Sequence, residues 1–544
     1  MRTAIWGAGY IGGKQLIAVG RDKVDFFIDS SPQKCGKLFC EKWVIHPDEL
    51  STWSDLFVYV PYNFYNEIKV SLVAHGLVED VDFCKYDGKN GIDEQILKKD
   101  LKRALQELEE NKERLKNNVI FWGWNFFQKS NYKSFFMRMR QTGFTPEICV
   151  VGENVWVKRE QAEKENEVAT IIAPLNCDRD IYLINSQLSN RDLRIIEETE
   201  KLADAAKAAM GTYGISRRDA FSEIYYLLYY AEKVISEVKP ALLIIDASRV
   251  IRSYVLEYVC KRQGVKHLYS HPGHFPGTYI FDPLGESGCC VPNINAEKFS
   301  RLPVDSSDIS KACEIWEYLY ESKANRKCQP NIDLVEMLEK KVNKHRPTIL
   351  FAAHVDSDNI PYTEHVRKHF SPMFATSIDA GVHLSYICRK NNWNFIYKPH
   401  PLSVDERIHN LLADGSIYLE QANINDLIDA SDVVVTVQSS VNYVALIRSK
   451  PVVMLRYNVI NGKGCTYEVY VKENIERILE CAIEKGFTQK QKEAFRRHIA
   501  QNIKYYLYDD LSERDIRYGK DVPRCIDDFF ALERHMMNAV VGRE

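Results

Sequence analysis

No run of apolar residues in this sequence approaches the roughly 20 that a membrane-crossing helix needs, so a spanning segment is not expected. Cys-x-x-Cys is absent as well. The 14 cysteines are scattered through apolar segments such as Ile148-Cys149-Val150, and Cys289-Cys290 is the one adjacent pair. That usage argues against structural zinc and a disulfide framework, and for buried thiols in a reducing compartment. There is no excess of one charge: 72 Lys and Arg face 75 Asp and Glu, a formal net charge of -3 with the signs interleaved. Without a basic face to follow a phosphate backbone, no nucleic-acid partner is expected. Internal repeats and low-complexity stretches are missing too, which excludes a solenoid array. The opening Met1-Arg2-Thr3-Ala4-Ile5-Trp6-Gly7 lacks the apolar core and small-residue cleavage site of a secretory signal. A cytoplasmic location is expected, with any membrane association peripheral, on the inner face of the cytoplasmic membrane.

What is present is ordinary globular composition, 45% hydrophobic and 27% charged, over 544 residues. At roughly 100 to 200 residues per domain, such a chain divides into about three. The expected fold class is α/β. Its expected parts are a Rossmann-like nucleotide-binding module over 1–90, a helical linker over 91–117, and two Rossmann-like lobes over 118–320 and 321–544, the last with C-terminal helices.

Residues 3–7 read as a buried strand, Gly7-Ala8-Gly9-Tyr10-Ile11-Gly12 opens a helix, and Val24 to Asp29 reads as a second strand ending in an acid. This is the G-x-G-x-x-G order of a Rossmann unit, in which Gly7, Gly9 and Gly12 let the backbone approach a pyrophosphate and Asp29 holds a ribose hydroxyl. The unit closes by about residue 90, which is short for a dehydrogenase. A bound nucleotide and a purely structural module both fit. From Asp93 to Asn117 the chain is highly charged, without Pro or Gly, and carries Leu97, Leu101, Leu105, Leu108 and Leu115 at helical spacing. The spacing predicts a long helix packed on its own protein.

Apolar strands then recur at 119–123, 147–151 and 241–245, and again at 348–353, 394–398, 433–436 and 451–455. Near-continuous apolar runs separated by helices indicate parallel sheets covered on both faces. In such sheets ligands bind at the carboxyl ends of the strands, so the polar residues after each run matter most. After 348–353 come His354, Asp356 and Asp358, placed to meet acceptor hydroxyls or a cation. After 394–397 come Lys398-Pro399-His400-Pro401, and after 433–436 come Gln438-Ser439-Ser440 with Asn442. Hydroxyls and amides at a helix start, with Lys398 and His400 adding positive charge, suit the phosphate of a departing nucleotide. A helix-capping serine and a proline-flanked turn histidine are the bland alternative for either motif alone. Between the lobes, Ser270-His271-Pro272-Gly273-His274 offers His271 or His274 as a general base near neutral pH, with Asp246 to orient it and Asp282 as a further acid.

The stretch from about 235 to 470 resembles the capsule polysaccharide biosynthesis family that includes bacterial β-Kdo transferases. The resemblance is carried by Ile349 to Asn359, Tyr397-Lys398-Pro399-His400-Pro401-Leu402, Asp432 to Ser440, Ala445-Leu446 and Lys450-Pro451-Val452. It implies a two-lobed GT-B glycosyltransferase using a CMP-activated sugar, with the His-Pro and Ser-Ser motifs holding the cytidine nucleotide, a glycan or glycolipid acceptor, and no obligatory metal. Two departures stand out: Val444 occupies the place of a ribose-binding Glu, which shifts that task to Gln438 or Asn442, and His271-Pro272 stands where the family carries a carboxylate. A CDP-glycerol or CDP-ribitol transferase shares the His-Pro and Ser-Ser pattern, but has Asp-Tyr where this chain has Val437-Gln438. A non-catalytic nucleotide-sugar-binding protein is the alternative of a different class.

Overall fold

The computed structural model describes residues 2–541 apart from 54, 62–64, 80, 87–91, 124–129, 151–169, 173–183, 186–195, 197–198, 214–216, 247–250, 326–337, 339, 355–362, 370, 372, 375, 401–407, 421, 438 and 512–513. The chain forms two compact units whose segments alternate along the sequence. The first comprises Met1–Phe127, Glu147–Pro240 and Tyr254–Gly264; the second comprises Gln128–Pro146, Ala241–Ser253 and Val265–Glu544.

The first unit begins with a six-stranded sheet made of β1 (Arg2–Trp6), β2 (Phe26–Ile28), β3 (Leu38–Phe39), β4 (Lys42–Ile45), β5 (Leu56–Pro61) and β6 (Phe83–Tyr86), ordered β3-β4-β2-β1-β5-β6. All neighbours are parallel except β3, which pairs antiparallel with β4. Side chains of a strand alternate between faces, and the core divides accordingly. Ala4, Trp6, Phe26, Ile28, Val58 and Val60 fill one side, while Ile5, Phe27 and Val44 pack with Leu16 of α1 (Tyr10–Val19) on the other. The charged stretch forms α3 (Glu94–Leu115), after α2 (Tyr65–Ala74), and buries Ala104, Leu108 and Leu115. It lies against α5 (Arg217–Val238), the helix after α4 (Glu200–Tyr213), and the Asn117 amide donates to the Val238 carbonyl at 3.3 Å. The unit also holds a short parallel pair, β7 (Ile92–Asp93) with β11 (Ile184–Asn185), and the parallel neighbours β8 (Val119–Trp122), β9 (Glu147–Val150) and β10 (Thr170–Ile172).

In the second unit, β12 (Leu242–Asp246) pairs parallel with β13 (His267–Pro272), which turns back as an antiparallel hairpin into β14 (Thr278–Asp282). The segment around His271 is therefore half strand. Pro272 is its last residue, where a missing amide costs least. A second, all-parallel sheet contains β15 (Thr348–Ala352), β16 (Asn394–Lys398), β17 (Ile417–Tyr418), β18 (Val433–Thr436), β19 (Val452–Met454) and β20 (Tyr467–Glu468). Its order is β17-β16-β15-β18-β19-β20, so the third, second, first, fourth, fifth and sixth strands lie side by side. That is the doubly wound Rossmann order, with its switch of direction between β15 and β18. Every residue of β15, β16 and β18 is buried, as both-sided helix cover requires. The cover includes α6 (Ser306–Ser322), boxed at its start by Asp305 and Asp308, and α7 (Ser377–Lys390), capped by Thr376, whose hydroxyl oxygen accepts from the Asp379 amide at 3.0 Å. Next come α8 (Val441–Ile447), α9 (Ile475–Lys485) and α10 (Gln489–Gln501). Beyond α10 the chain returns to the first sheet of this unit as β21 (Tyr508–Asp509), antiparallel to β14.

Candidate functional site

The register of the second sheet sets Ala352 opposite both Lys398 and Thr436, and Thr436 opposite Met454. Strands about 4.8 Å apart therefore bring the residues just beyond them out side by side at one edge. These are His354 after β15, His400 after β16, Ser439-Ser440 after β18, and Arg456, itself buried, after β19, flanking the switch point. The His354 amide donates to Ser377 Oγ at 3.1 Å, which ties this strand end to the first residue of α7. Ser439 Oγ accepts the Val441 amide at 3.2 Å, and Ser440 is the cap residue of α8. Arg456 was not singled out from the sequence. The same rule of taking the first polar residue after an apolar run, applied to Pro451–Leu455, points to it. Gln438, Asp356 and Asp358 lie outside the described residues.

Two other expected donor-site residues face inward. Lys398 is buried, and its ammonium donates to the Pro399 carbonyl at 3.1 Å and the Glu420 carbonyl at 2.8 Å. Burial draws its pKa below the ordinary lysine value. Asn442 is fully buried; its carbonyl oxygen accepts from the Thr436 hydroxyl and its amide meets Met454 Sδ at 3.7 Å, which seats α8 on β18 and β19. Both residues brace the strand ends.

On the hairpin, His271 sits in β13 and His274 in the turn, both part-exposed. The His274 ring stacks on Tyr443 of α8, with centroids 4.5 Å apart and planes 2° from parallel. Asp246 ends β12 as a buried carboxylate ion-paired with Arg252. Asp282 ends β14 fully buried. Its Oδ1 accepts the amides of Leu284 at 2.8 Å and Gly285 at 3.1 Å, and its Oδ2 accepts the Val291 amide and the Tyr506 hydroxyl, each at 2.9 Å. Burial pushes its pKa up to about 6 against those four stabilising donors. Asp282 thus joins the end of β14, the 284–291 segment and the stretch after α10.

In the first unit, the glycine turn follows β1 as expected. Gly7 takes φ +100°, a conformation that favours glycine, and its amide donates to the Ile28 carbonyl at 2.6 Å. A Cβ on Gly12 would lie 1.7 Å from the Gly7 carbonyl oxygen, so only glycine lets α1 approach the turn. Gly9 is the extended cap residue of α1. Asp29 Oδ2 accepts the Ala8 amide and the Lys34 ammonium, both at 2.8 Å, and Oδ1 accepts the Ser31 amide at 2.9 Å. The acid expected to meet a ribose thus also closes the turn, and Lys34 adds a cation above it that the sequence had not marked.

Residues 313–507, which span the whole second sheet, match the family model described as capsule polysaccharide biosynthesis protein. This stretch, about a third of the chain, is similar to that family. Among solved structures, the chain is similar to the Thermosulfurimonas dismutans KpsC β-Kdo 2,7 transferase, at 16% identity over 58% of this chain and 90% of that one, with a TM-score of 0.35. It is similar to the β-Kdo 2,4 transferase of the same organism's KpsC at 12% identity over 56% and 88%, TM-score 0.34, and to the Methanocaldococcus jannaschii UDP-GlcNAc 2-epimerase at 11% identity over 70% and 98%, TM-score 0.32. No curated protein sequence matches the chain. Among the described residues, the chain holds no cluster of three His, Cys, Asp or Glu placed to bind a metal, and no helix long and apolar enough to cross a membrane.

Proposed function

We propose that the chain is a GT-B-type glycosyltransferase of capsule or other surface-polysaccharide assembly, moving a sugar of Kdo-like class from a CMP-activated donor to a glycan or glycolipid acceptor. One observation carries the reading. The switch point of the second sheet falls inside residues 313–507, which match the capsule-biosynthesis model, with His400, Ser439, Ser440 and the buried Arg456 following the strands beside it. In this reading the hydroxyls and the two cationic side chains receive the nucleotide phosphate, and positive charge there stabilises the leaving nucleotide as the bond to the sugar breaks. Lys398 and Asn442 hold the strand ends in register, and Gln438 contacts the nucleoside. His271 or His274 accepts the proton of the acceptor hydroxyl, and Arg252-paired Asp246 supports the strand that carries them. His354, Asp356 and Asp358 meet acceptor hydroxyls. The Gly7 to Gly12 turn with Asp29 and Lys34 holds a second nucleotide. The enzyme works in the cytoplasm, peripherally on the membrane where a lipid-linked acceptor requires it.

A ligand that binds the native state raises its melting temperature, so the test is a thermal shift with CMP, CDP, UDP, GDP and NAD on the wild type, His400→Ala, Arg456→Ala and Gly9→Asp. The reading expects CMP or CDP to stabilise the wild type and Gly9→Asp, with the shift lost in His400→Ala and Arg456→Ala. Stabilisation by UDP or NAD alone, lost only in Gly9→Asp, would refute it and move the working site to the first unit.

A further inference from the structure

The turn that carries His274 is tightly held. The Gly273 amide donates to the Thr278 carbonyl at 2.7 Å, the Thr278 hydroxyl donates to the Phe275 carbonyl at 2.7 Å, and a Cβ on Gly273 would come within 2.1 Å of Thr278 Oγ1. The turn lays the imidazole flat on the Tyr443 ring, while Phe275 meets the same ring edge-on at 5.7 Å. Tyr443 is itself immobilised. It is 1% exposed, and its hydroxyl lies 2.9 Å from His498 Nε2. The Asn502 side-chain nitrogen lies 2.9 Å from that same ring nitrogen. His498 is fully buried, and burial, with Lys463 and His274 nearby, holds its pKa well below the ordinary value; burial lifts that of Tyr443 well above. Both stay neutral at working pH. Beneath His274 there is therefore an uncharged, electron-rich ring that cannot titrate, one helical turn from Ser439.

We propose that Tyr443 is a positioning residue for His274: it holds the imidazole at a set distance from the Ser439-Ser440 strand end and stabilises its protonated form. A cation over the face of a tyrosine ring is attracted by the ring's quadrupole, and a nearly coplanar stack at 4.5 Å places the imidazolium there. Resting on the transferase reading above, the step balances as follows. The acceptor hydroxyl forms its bond to the anomeric carbon, the bond from that carbon to the donor phosphate oxygen breaks with its electron pair leaving on the nucleotide, and the hydroxyl proton passes to His274. The charges packed behind the stack include the Lys463 ammonium, which lies over Phe299 and acts on His498, and the Asp282 carboxylate, which accepts from the hydroxyl of Tyr506, whose own ring is 6.4 Å from His274. The arrangement also couples the two halves of the site, because the helix that begins at Ser440 carries the seat of the base.

Carbethoxylation of His274 by diethyl pyrocarbonate, followed across pH by peptide mass spectrometry, reads the protonation midpoint of that one side chain without needing turnover. Wild type is compared with Tyr443→Phe, Tyr443→Leu and Tyr443→Met, each checked for folding by its melting curve. Tyr443→Phe keeps the ring and should keep the midpoint. Tyr443→Leu and Tyr443→Met lose the ring face, and either should lower the midpoint by about half a pH unit, with kcat falling more than KM rises. The same midpoint in wild type and in a folded Leu or Met variant overturns the proposal. A midpoint that moves while the wild type transfers no sugar from any CMP-sugar leaves the seat standing and overturns the transferase reading instead.

Discussion

Asp282 offers the sharpest test of the distinction between a residue that reacts and one that holds the site together. Its carboxylate is the shared acceptor of three backbone amides and one phenol, all within 3.1 Å and away from solvent. Asp282→Ala would leave those four donors without that acceptor, and a buried unsatisfied donor costs about 1–3 kcal/mol. Even with water or relaxation satisfying half of them, the loss of about 2–6 kcal/mol is a large part of the stability of an ordinary domain. Asp282→Asn keeps one acceptor oxygen for Leu284 and Gly285 but turns an NH2 toward the Val291 amide, so it should cost about 1–3 kcal/mol. The pH dependence has a definite sign. With the native pKa near 6 and the unfolded value 3.8, the native state holds a proton that the unfolded chain has given up throughout that window. Stability from this group is therefore greatest below about pH 4 and falls as pH rises to about 6, by about 3 kcal/mol across that window. Urea midpoints of wild type and Asp282→Asn between pH 4 and 7 measure both effects, the variant lacking this component of the slope. A folded Asp282→Asn with wild-type stability at pH 7, a wild-type pH slope and no activity would refute the reasoning and return Asp282 to the chemistry.

Two further outcomes follow from packing. Gly288→Ala should cost about 3 kcal/mol or prevent folding, because its Cβ would stand 1.5 Å from the His369 carbonyl oxygen and 3.0 Å from Tyr457 Cβ, neighbours that cannot rotate away; a wild-type urea midpoint would refute that contact. Lys398→Met should lower stability by about 1–3 kcal/mol by leaving the Pro399 and Glu420 carbonyls without their donor, yet change CMP affinity in titration calorimetry less than about threefold. A tenfold loss of CMP affinity in the folded variant would place the ammonium on the ligand.

The strands that the sequence marked were those whose residues are apolar on both faces. Val433-Val434-Val435-Thr436 and Thr348 to Ala352 fall within a residue of where they were read, because burial on both sides leaves no polar alternation to confuse the period. The polar residues that follow them were legible for the same reason, since each stands where an apolar run stops. Side-chain direction was not. Lys398 and Asn442 look like ligand groups in a motif, yet one reaches back to backbone carbonyls and the other to Thr436, a choice made by the packing around them. Tyr443 reads as an ordinary helix-core aromatic, and its partnership with His274 links positions brought together by the hairpin turn. Two-residue strands such as β17, β20 and β21 carry no periodicity at all, so the return of the chain to β14 left no local signal.

That return has a consequence for how the protein is made. The carboxylate of Asp282 meets its phenol partner across 224 residues of chain, and β14 meets β21 over a similar span. At roughly 5–20 residues per second of synthesis, the open edge of β14 waits roughly 10–45 s for the strand that covers it. During that interval a nascent chain presents a strand that β13 pairs on one edge only, Thr278-Tyr279-Ile280-Phe281-Asp282, every residue of which is buried in the finished fold, to whatever other chain is near. Ribosome stalling or early termination anywhere in residues 313–507 would then yield an aggregation-prone fragment rather than a smaller folded protein.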